Sequence, residues 1–124
     1  MIVHLDTSAL VDALTGPRRA LAQLTAIVER GDRIGCSSLV LYEWTRGPRV
    51  RAELQAQESL LPRDQAVPFT GAEAALAAGL YAKVARARGR EIDLAIAACA
   101  LAHNAALWTL NREDFRDIPD LRLL

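Results

Sequence analysis

Apolar and polar positions divide the chain into alternating short and long blocks. Ile2-Val3-His4-Leu5-Asp6 is a short, nearly unbroken apolar run, the pattern of a strand covered on both faces. Comparable short runs follow at Arg33-Ile34-Gly35-Cys36, Ala66-Val67-Pro68-Phe69 and Ala106-Leu107-Trp108-Thr109. Leu121-Arg122-Leu123 supplies a possible fifth. Pro68 has no N–H for a ladder, so the third strand belongs at an edge. Between these runs the spacing turns helical. A short helix is expected near Ala9–Leu14, broken by Thr15-Gly16-Pro17. Pro17 suits a first helical position, and Leu21, Leu24, Ile27 and Val28 form a stripe that ends at Gly31. Ser37 or Ser38 can cap a helix from Leu39 to about Arg46, closed by Gly47-Pro48. Pro48 can open another to about Leu60, with Val50 and Leu54 on its apolar face. Thr70 then caps a long helix through Arg88, with Ala72, Leu76, Leu80 and Val84 as its stripe and Gly89 as its stop. Leu94 to Ala102 is apolar on every side, which predicts a central, buried helix.

Strands alternating with helices imply parallel pairing in a helix-covered α/β sheet of four to five strands. The 124 residues suit one domain, residues 1–124, with no linker or repeat. The net charge of zero leaves no global positive field to attract nucleic acid. Fourteen of the fifteen cations are Arg, with Lys83 the exception; Arg suits bidentate contacts to phosphate or carboxylate, although base composition of the genome explains an Arg-rich chain equally well. Cys36 and Cys99 lie in apolar settings and read as buried thiols of a reducing compartment. No signal peptide and no apolar stretch of membrane-spanning length is visible. The expectation is a soluble, cytoplasmic protein.

The acids carry the candidate chemistry. Most lie in polar contexts and read as solvated, among them Asp32, Glu53, Glu73 and Asp117, with Asp12 leaning to the surface. Four do not. Asp6 ends the first strand, where open parallel sheets bind ligands, although it could simply cap the next helix. Glu43 sits in Leu39-Val-Leu-Tyr-Glu-Trp44, where a carboxylate is costly unless paired; Arg46, three residues on, offers an ordinary partner. Asp93 opens the all-apolar helix, a position the helix dipole also favours, with Glu91 as competitor. Asp114, in Thr109-Leu-Asn-Arg-Glu-Asp-Phe115, follows the fourth strand; Phe115 should turn inward and decide between it and Glu113. A charged surface turn is the plain alternative there.

No spacing rule joins these four acids, so their clustering is an inference from topology. Packed together they would repel and raise one another's pKa. A divalent cation removes that difficulty, and all-oxygen ligands suit Mg²⁺ or Mn²⁺ rather than zinc. The hydroxyl of Thr7 or Ser8, or the amide of Asn111, could ligate, orient water or bond a carboxylate.

Four short motifs together resemble the PIN-domain ribonucleases, and within them the VapC toxins of bacterial toxin–antitoxin pairs. Leu5-Asp-Thr-Ser-Ala-Leu10 is similar to the family's first motif, and Glu43 to its second acid. Asp93-Leu-Ala-Ile-Ala-Ala-Cys-Ala100 resembles the third and Thr109-Leu-Asn-Arg-Glu-Asp-Phe115 the fourth, over essentially the whole chain. The resemblance implies a three-layer α/β/α sandwich and a Mg²⁺- or Mn²⁺-dependent endoribonuclease. It implies an RNA substrate, a small cognate antitoxin and a homodimer, with no membrane. Asp6 and Asp93 would be the principal metal ligands, with Glu43 and Asp114 completing the pocket. Two departures stand out: the short link from Gly89 to Asp93, and the bulky Trp44 beside the second acid.

Arg46, Arg86, Arg88 and Arg90 flank the second and third acids and are candidates to hold RNA phosphates. Tyr42 and Trp44 could stack bases, line a partner groove or fill the core. His4 and His103 read as structural. The alternative function is a PIN-like binding module without turnover, which has no need of a repulsive acid cluster. A phospho-acceptor domain would want an acid pair after the first strand and a Lys after a late one, whereas Lys83 sits inside a helix.

Overall fold

The computed structural model describes residues 1–124. Three parallel strands, β1 (Ile2–Leu5), β2 (Arg33–Gly35) and β3 (Ala106–Trp108), form a sheet in the order β2-β1-β3. Six helices flank it: α1 (Thr7–Leu14), α2 (Leu21–Glu29), α3 (Ser38–Arg46), α4 (Arg51–Leu60), α5 (Gly71–Lys83) and α6 (Glu91–Ala102). In β1 the consecutive residues Val3, His4 and Leu5 are all buried. Both faces are therefore covered, as a parallel sheet with crossover helices requires, and the strand reads as a run instead of an alternation. The central strand pairs Ile2 with Arg33 on one side and Val3 with Ala106 on the other. The chain moves to β2 on one side of β1 and later to β3 on the other. That reversal opens a crevice at the carboxyl ends of β1 and β3.

The sheet is smaller than the expected four to five strands. Two of the short apolar runs contribute one bridge each, Ser37 with Val67 and Leu107 with Leu123. Pro68 cannot donate the next ladder bond, and a 3-10 turn at Arg63–Gln65 occupies the approach. Asp120, left-handed at φ 65°, turns the chain just before the last run, so only Leu123 aligns.

Helix bounds also differ from the sequence pattern. α1 starts at Thr7 because Asp6 is the extended residue that bounds it. α4 starts at Arg51, and Val50 is 62% exposed instead of facing the core. α5 stops at Lys83: Val84 is extended and Arg86 is left-handed at φ 55°, so residues 84–90 form a turn ahead of α6. Within α6 every residue from Leu94 to Ala100 is buried, the central helix that its all-round apolarity predicts.

Trp44 is fully buried in the core, with the Arg49 guanidinium 4.3 Å over its ring, so it is packing and not a base platform. Cys36 and Cys99 are buried and free; burial pushes their thiols up to about 12 and about 11. Glu73 is buried, contrary to expectation, because it folds back to accept the Thr70 N–H at 2.8 Å as a helix cap. His4 is buried beside exposed His103, ring centroids 6.0 Å apart. Burial, then the charge of His103, lowers His4 to about 4. No helix is long and apolar enough to cross a membrane.

Candidate active site

Asp6 follows β1 directly, and its N–H donates to Trp108 of β3 at 2.9 Å. The backbone is thus locked in the crevice between the two strands. Asp6 occupies the N-cap position of α1, yet its side chain makes no capping hydrogen bond. The carboxylate is instead held by hydroxyls. Oδ2 accepts from Ser8 at 2.9 Å and from Thr109 at 2.8 Å. Those two hydroxyls lie 3.2 Å apart and take backbone N–H bonds of 3.0 Å from Leu110 and Asn111. The residue is 4% exposed, so these bonds compensate the burial of a charge.

Glu43 reaches the same crevice from α3. Thr7 donates to its Oε1 at 2.6 Å, and Arg46 lies 3.7 Å from Oε2. Glu43 therefore pairs with Arg46 and lines the cleft at the same time. Asp93 enters from the first turn of α6. Asp6, Thr7, Ser8, Glu43, Asp93 and Asn111 line one cleft of about 480 Å³, together with Asp12. Asp114 stands outside that lining, on the exposed 3-10 turn Arg112–Asp114. Phe115 is 1% exposed and fixes the register of the turn, while Glu113 pairs with Arg116 in solvent. Asn111 bounds this turn without a side-chain cap; its carbonyl accepts the Asp114 N–H at 2.9 Å.

The electrostatics converge on Asp93. Its carboxyl is pushed up to about 6, first by burial and then by the charges of Asp6, Asp114 and Glu43, with Arg90 acting in the opposite direction. Asp93 thus feels three acids that come from positions as far apart in sequence as 6 and 114. They do not make a finished cage: no three His, Cys, Asp or Glu side chains are gathered as an ion site. The donor set is nevertheless all oxygen, anionic and half-desolvated, which fits a hard divalent cation and does not fit zinc.

Three residues here lay outside the sequence reading or were misplaced by it. Thr109 has no assigned role in the sequence, although a hydroxyl just past a buried parallel strand, matching Thr7-Ser8 after the first, was a usable signal. Asp12, expected at the surface, lines the cleft and sits 3.6 Å from Arg19. Arg90 is no rim residue: its side chain is 18% exposed and committed to Asp117.

A family model described as "PIN domain" matches residues 3–121. A ribonuclease of Mycobacterium tuberculosis named VapC19 is 33% identical over 123 residues, spanning 95% of this chain and 95% of the relative. Among solved structures, VapBC2 from Rickettsia felis, bound to a DNA fragment from its promoter, superposes with a TM-score of 0.77 at 24% identity, covering 100% of this chain and 98% of that one. DNA-bound VapBC from Salmonella typhimurium gives a TM-score of 0.76 at 20% identity, over 100% and 97% of the two chains. These structures share the fold.

Proposed function

The chain belongs to the PIN-domain family, and we propose on that premise that it is a metal-dependent endoribonuclease, the VapC-type toxin of a toxin–antitoxin pair. The observation that carries the proposal is Asp93, whose carboxyl is raised to about 6 by burial and three neighbouring carboxylates. A fold has no structural reason to keep such repulsion; a cation-binding site does.

Asp6 and Asp93 hold the cation in this reading, with Glu43 and Asp114 completing the pocket directly or through water. Bound there, Mg²⁺ or Mn²⁺ supplies a water of lowered pKa and neutralises charge on the scissile phosphate. The chain's own residues do the rest. Ser8 and Thr109 hold Asp6 so that one carboxylate oxygen is spoken for and the other is free to face the cleft. Thr7 fixes Glu43 as the acceptor for the proton of the attacking water. Arg86 and Arg88, exposed on the turn before α6, are free to meet RNA phosphates, whereas Arg46 is engaged with Glu43. Tyr42, 62% exposed, is a surface for a base, a second copy of the chain or the antitoxin. In this reading the partners are an RNA substrate and a small antitoxin, with a homodimer in the cytoplasm; the name of the VapC19 relative supports the ribonuclease part, and the VapBC neighbours the antitoxin part.

Purified, antitoxin-free protein incubated with total RNA is expected to make discrete cuts with Mg²⁺ or Mn²⁺ and none with chelator. Cuts that persist in chelator, or none with either cation, would overturn the proposal. Thr7→Val is expected to slow single-turnover cleavage about 10- to 100-fold with the fold intact, the usual cost of losing a residue that orients a metal-site carboxylate. A rate equal to wild type would remove Thr7 from the mechanism.

A further inference from the structure

We infer that Arg90 is a positioning residue that clamps the Asp114 turn against the start of α6 and thereby sets the site's affinity for a divalent cation. The inference rests on the metal-dependent reading above. Arg90 stands immediately before α6, three residues from Asp93. Its guanidinium makes four hydrogen bonds. Nη1 donates to Ala85 O at 3.1 Å and Asp117 Oδ2 at 2.9 Å. Nη2 donates to Asp117 Oδ1 at 2.6 Å and Asp114 O at 2.8 Å. Nε is buried, so no accessible N–H remains for a phosphate.

The bidentate pair with Asp117 fixes the plane of the guanidinium. With that plane fixed, the remaining Nη2 donor points at the Asp114 carbonyl. The turn needs such support. It is a single 3-10 turn whose residues 111–114 are exposed, with no strand or long helix to hold it. The peptide linking Asp114 to Phe115 is gripped at both ends. Arg90 holds its carbonyl, and the Phe115 N–H donates to Arg112 O at 3.1 Å. The Phe115 ring anchors the next residue in the core. Together these contacts fix the direction in which the Asp114 side chain leaves the backbone. One residue therefore ties together the backbones that carry two of the four acids. Lys would keep the charge but lose the planar fork.

The test compares wild type, Arg90→Lys, Asp117→Asn and the double variant, each as the full chain. Mn²⁺ affinity is measured by calorimetry at one pH and at a temperature where all are folded. Amide exchange is followed at Phe115, Arg116 and Ile118. Arg90→Lys is expected to weaken Mn²⁺ binding about tenfold. Asp117→Asn should weaken it severalfold, and the double variant no further than Arg90→Lys alone, because both break one clamp. Exchange at the three amides should quicken in every variant. A residue with a merely structural role would lower the melting temperature and leave Mn²⁺ affinity unchanged. Should Arg90→Lys fail to fold, Asp117→Asn carries the comparison, since Asp117 is 42% exposed. Mn²⁺ affinities within twofold of wild type, or losses that multiply in the double variant, would overturn the clamp alone. Absence of Mn²⁺ binding by wild type would overturn the metal-dependent reading, and the clamp with it.

Discussion

Asp93→Asn is expected to abolish metal-dependent RNA cleavage while leaving the protein folded. The expected loss in single-turnover rate is at least about 10³-fold, or ~4 kcal/mol of transition-state stabilisation. Asp93 receives the combined field of Asp6, Asp114 and Glu43, so it is the acid whose charge is most costly without a cation. Its amide replacement has the same shape and no charge to offer a metal. The fold should not suffer. Asp93 lies in the first turn of α6, where losing the negative charge costs roughly 0.3–1 kcal/mol of helix-dipole stabilisation. Relief of repulsion from three carboxylates offsets that cost. Glu91 is the matched control. It lies in the same turn, but both its oxygens are turned away to accept the Gly89 N–H at 2.8 Å. Glu91→Gln should cleave within about threefold of wild type, since its charge is not among those that act on Asp93. Comparable losses in the two variants would mean that negative charge at the helix start matters and a dedicated ligand does not. Asp93→Asn cleaving within tenfold of wild type would remove Asp93 from the site.

Three of the four acids stood out because each lies where a strand or buried helix runs out, and Glu43 because it sits among apolar neighbours inside α3. Asp6 after an apolar run and Asp93 before one mark the boundary of the core, and topology does the rest. Phe115 turns inward as a large apolar side chain should and fixes the register of its turn, yet Asp114 and Glu113 are both exposed and neither lines the cleft. The strand count was less legible. A run such as Ala66–Phe69 has the composition of a strand, but pairing depends on a partner edge and on an N–H that Pro68 lacks. The end of α5 was hidden for a different reason. Its apolar stripe continues to Val84, and nothing in the residue type of Arg86 announces a left-handed backbone, which is ordinarily the province of glycine. Arg90 was misplaced because its partner is 27 residues away. An Arg beside an acid motif looks like a phosphate ligand until a distant Asp claims it. Glu73 was misplaced by the opposite fault: a Glu three residues after Thr70 is a capping-box signature, and it was visible in the sequence.

Without metal, the wild-type protein is expected to lose clearly less stability between about pH 6 and pH 4 than Asp93→Asn, which should lose it steeply over the same range. Two groups with opposite shifts produce this. His4 falls from its ordinary 6.5 to about 4 on folding. Between those values the unfolded chain binds a proton at His4 that the folded protein refuses. Stability is therefore full above pH 6.5 and falls as acid is added, by up to about 3 kcal/mol by pH 4. Asp93 rises from 3.8 to about 6 on folding. Between those values the folded protein holds a proton that the unfolded chain has released, so acid stabilises it. The full shift would be worth about 3 kcal/mol, and partial exposure of the carboxylate reduces this to roughly 1–2 kcal/mol. The two slopes oppose each other from pH 6 down to 4. Asp93→Asn deletes the second. In chelator at pH 7 the variant should be more stable than wild type by about 1–2 kcal/mol, because a strained charge is gone. That advantage should vanish near pH 4, where the wild-type carboxyl is protonated in the fold. Urea midpoints at pH 7, 6, 5 and 4 measure the difference directly. Groups away from the cluster contribute equally to both proteins, so subtraction isolates Asp93 together with its coupling to Asp6, Glu43 and Asp114. Parallel curves would mean that Asp93 ionises freely in the fold, and the charge argument for a cation site would fall with it. Mn²⁺ supplies the complementary arm: at pH 7 it should stabilise wild type and not the variant, by mass action on a site that binds it only when folded. The proton at low pH and the cation at neutral pH would then be seen to answer the same clustered charge.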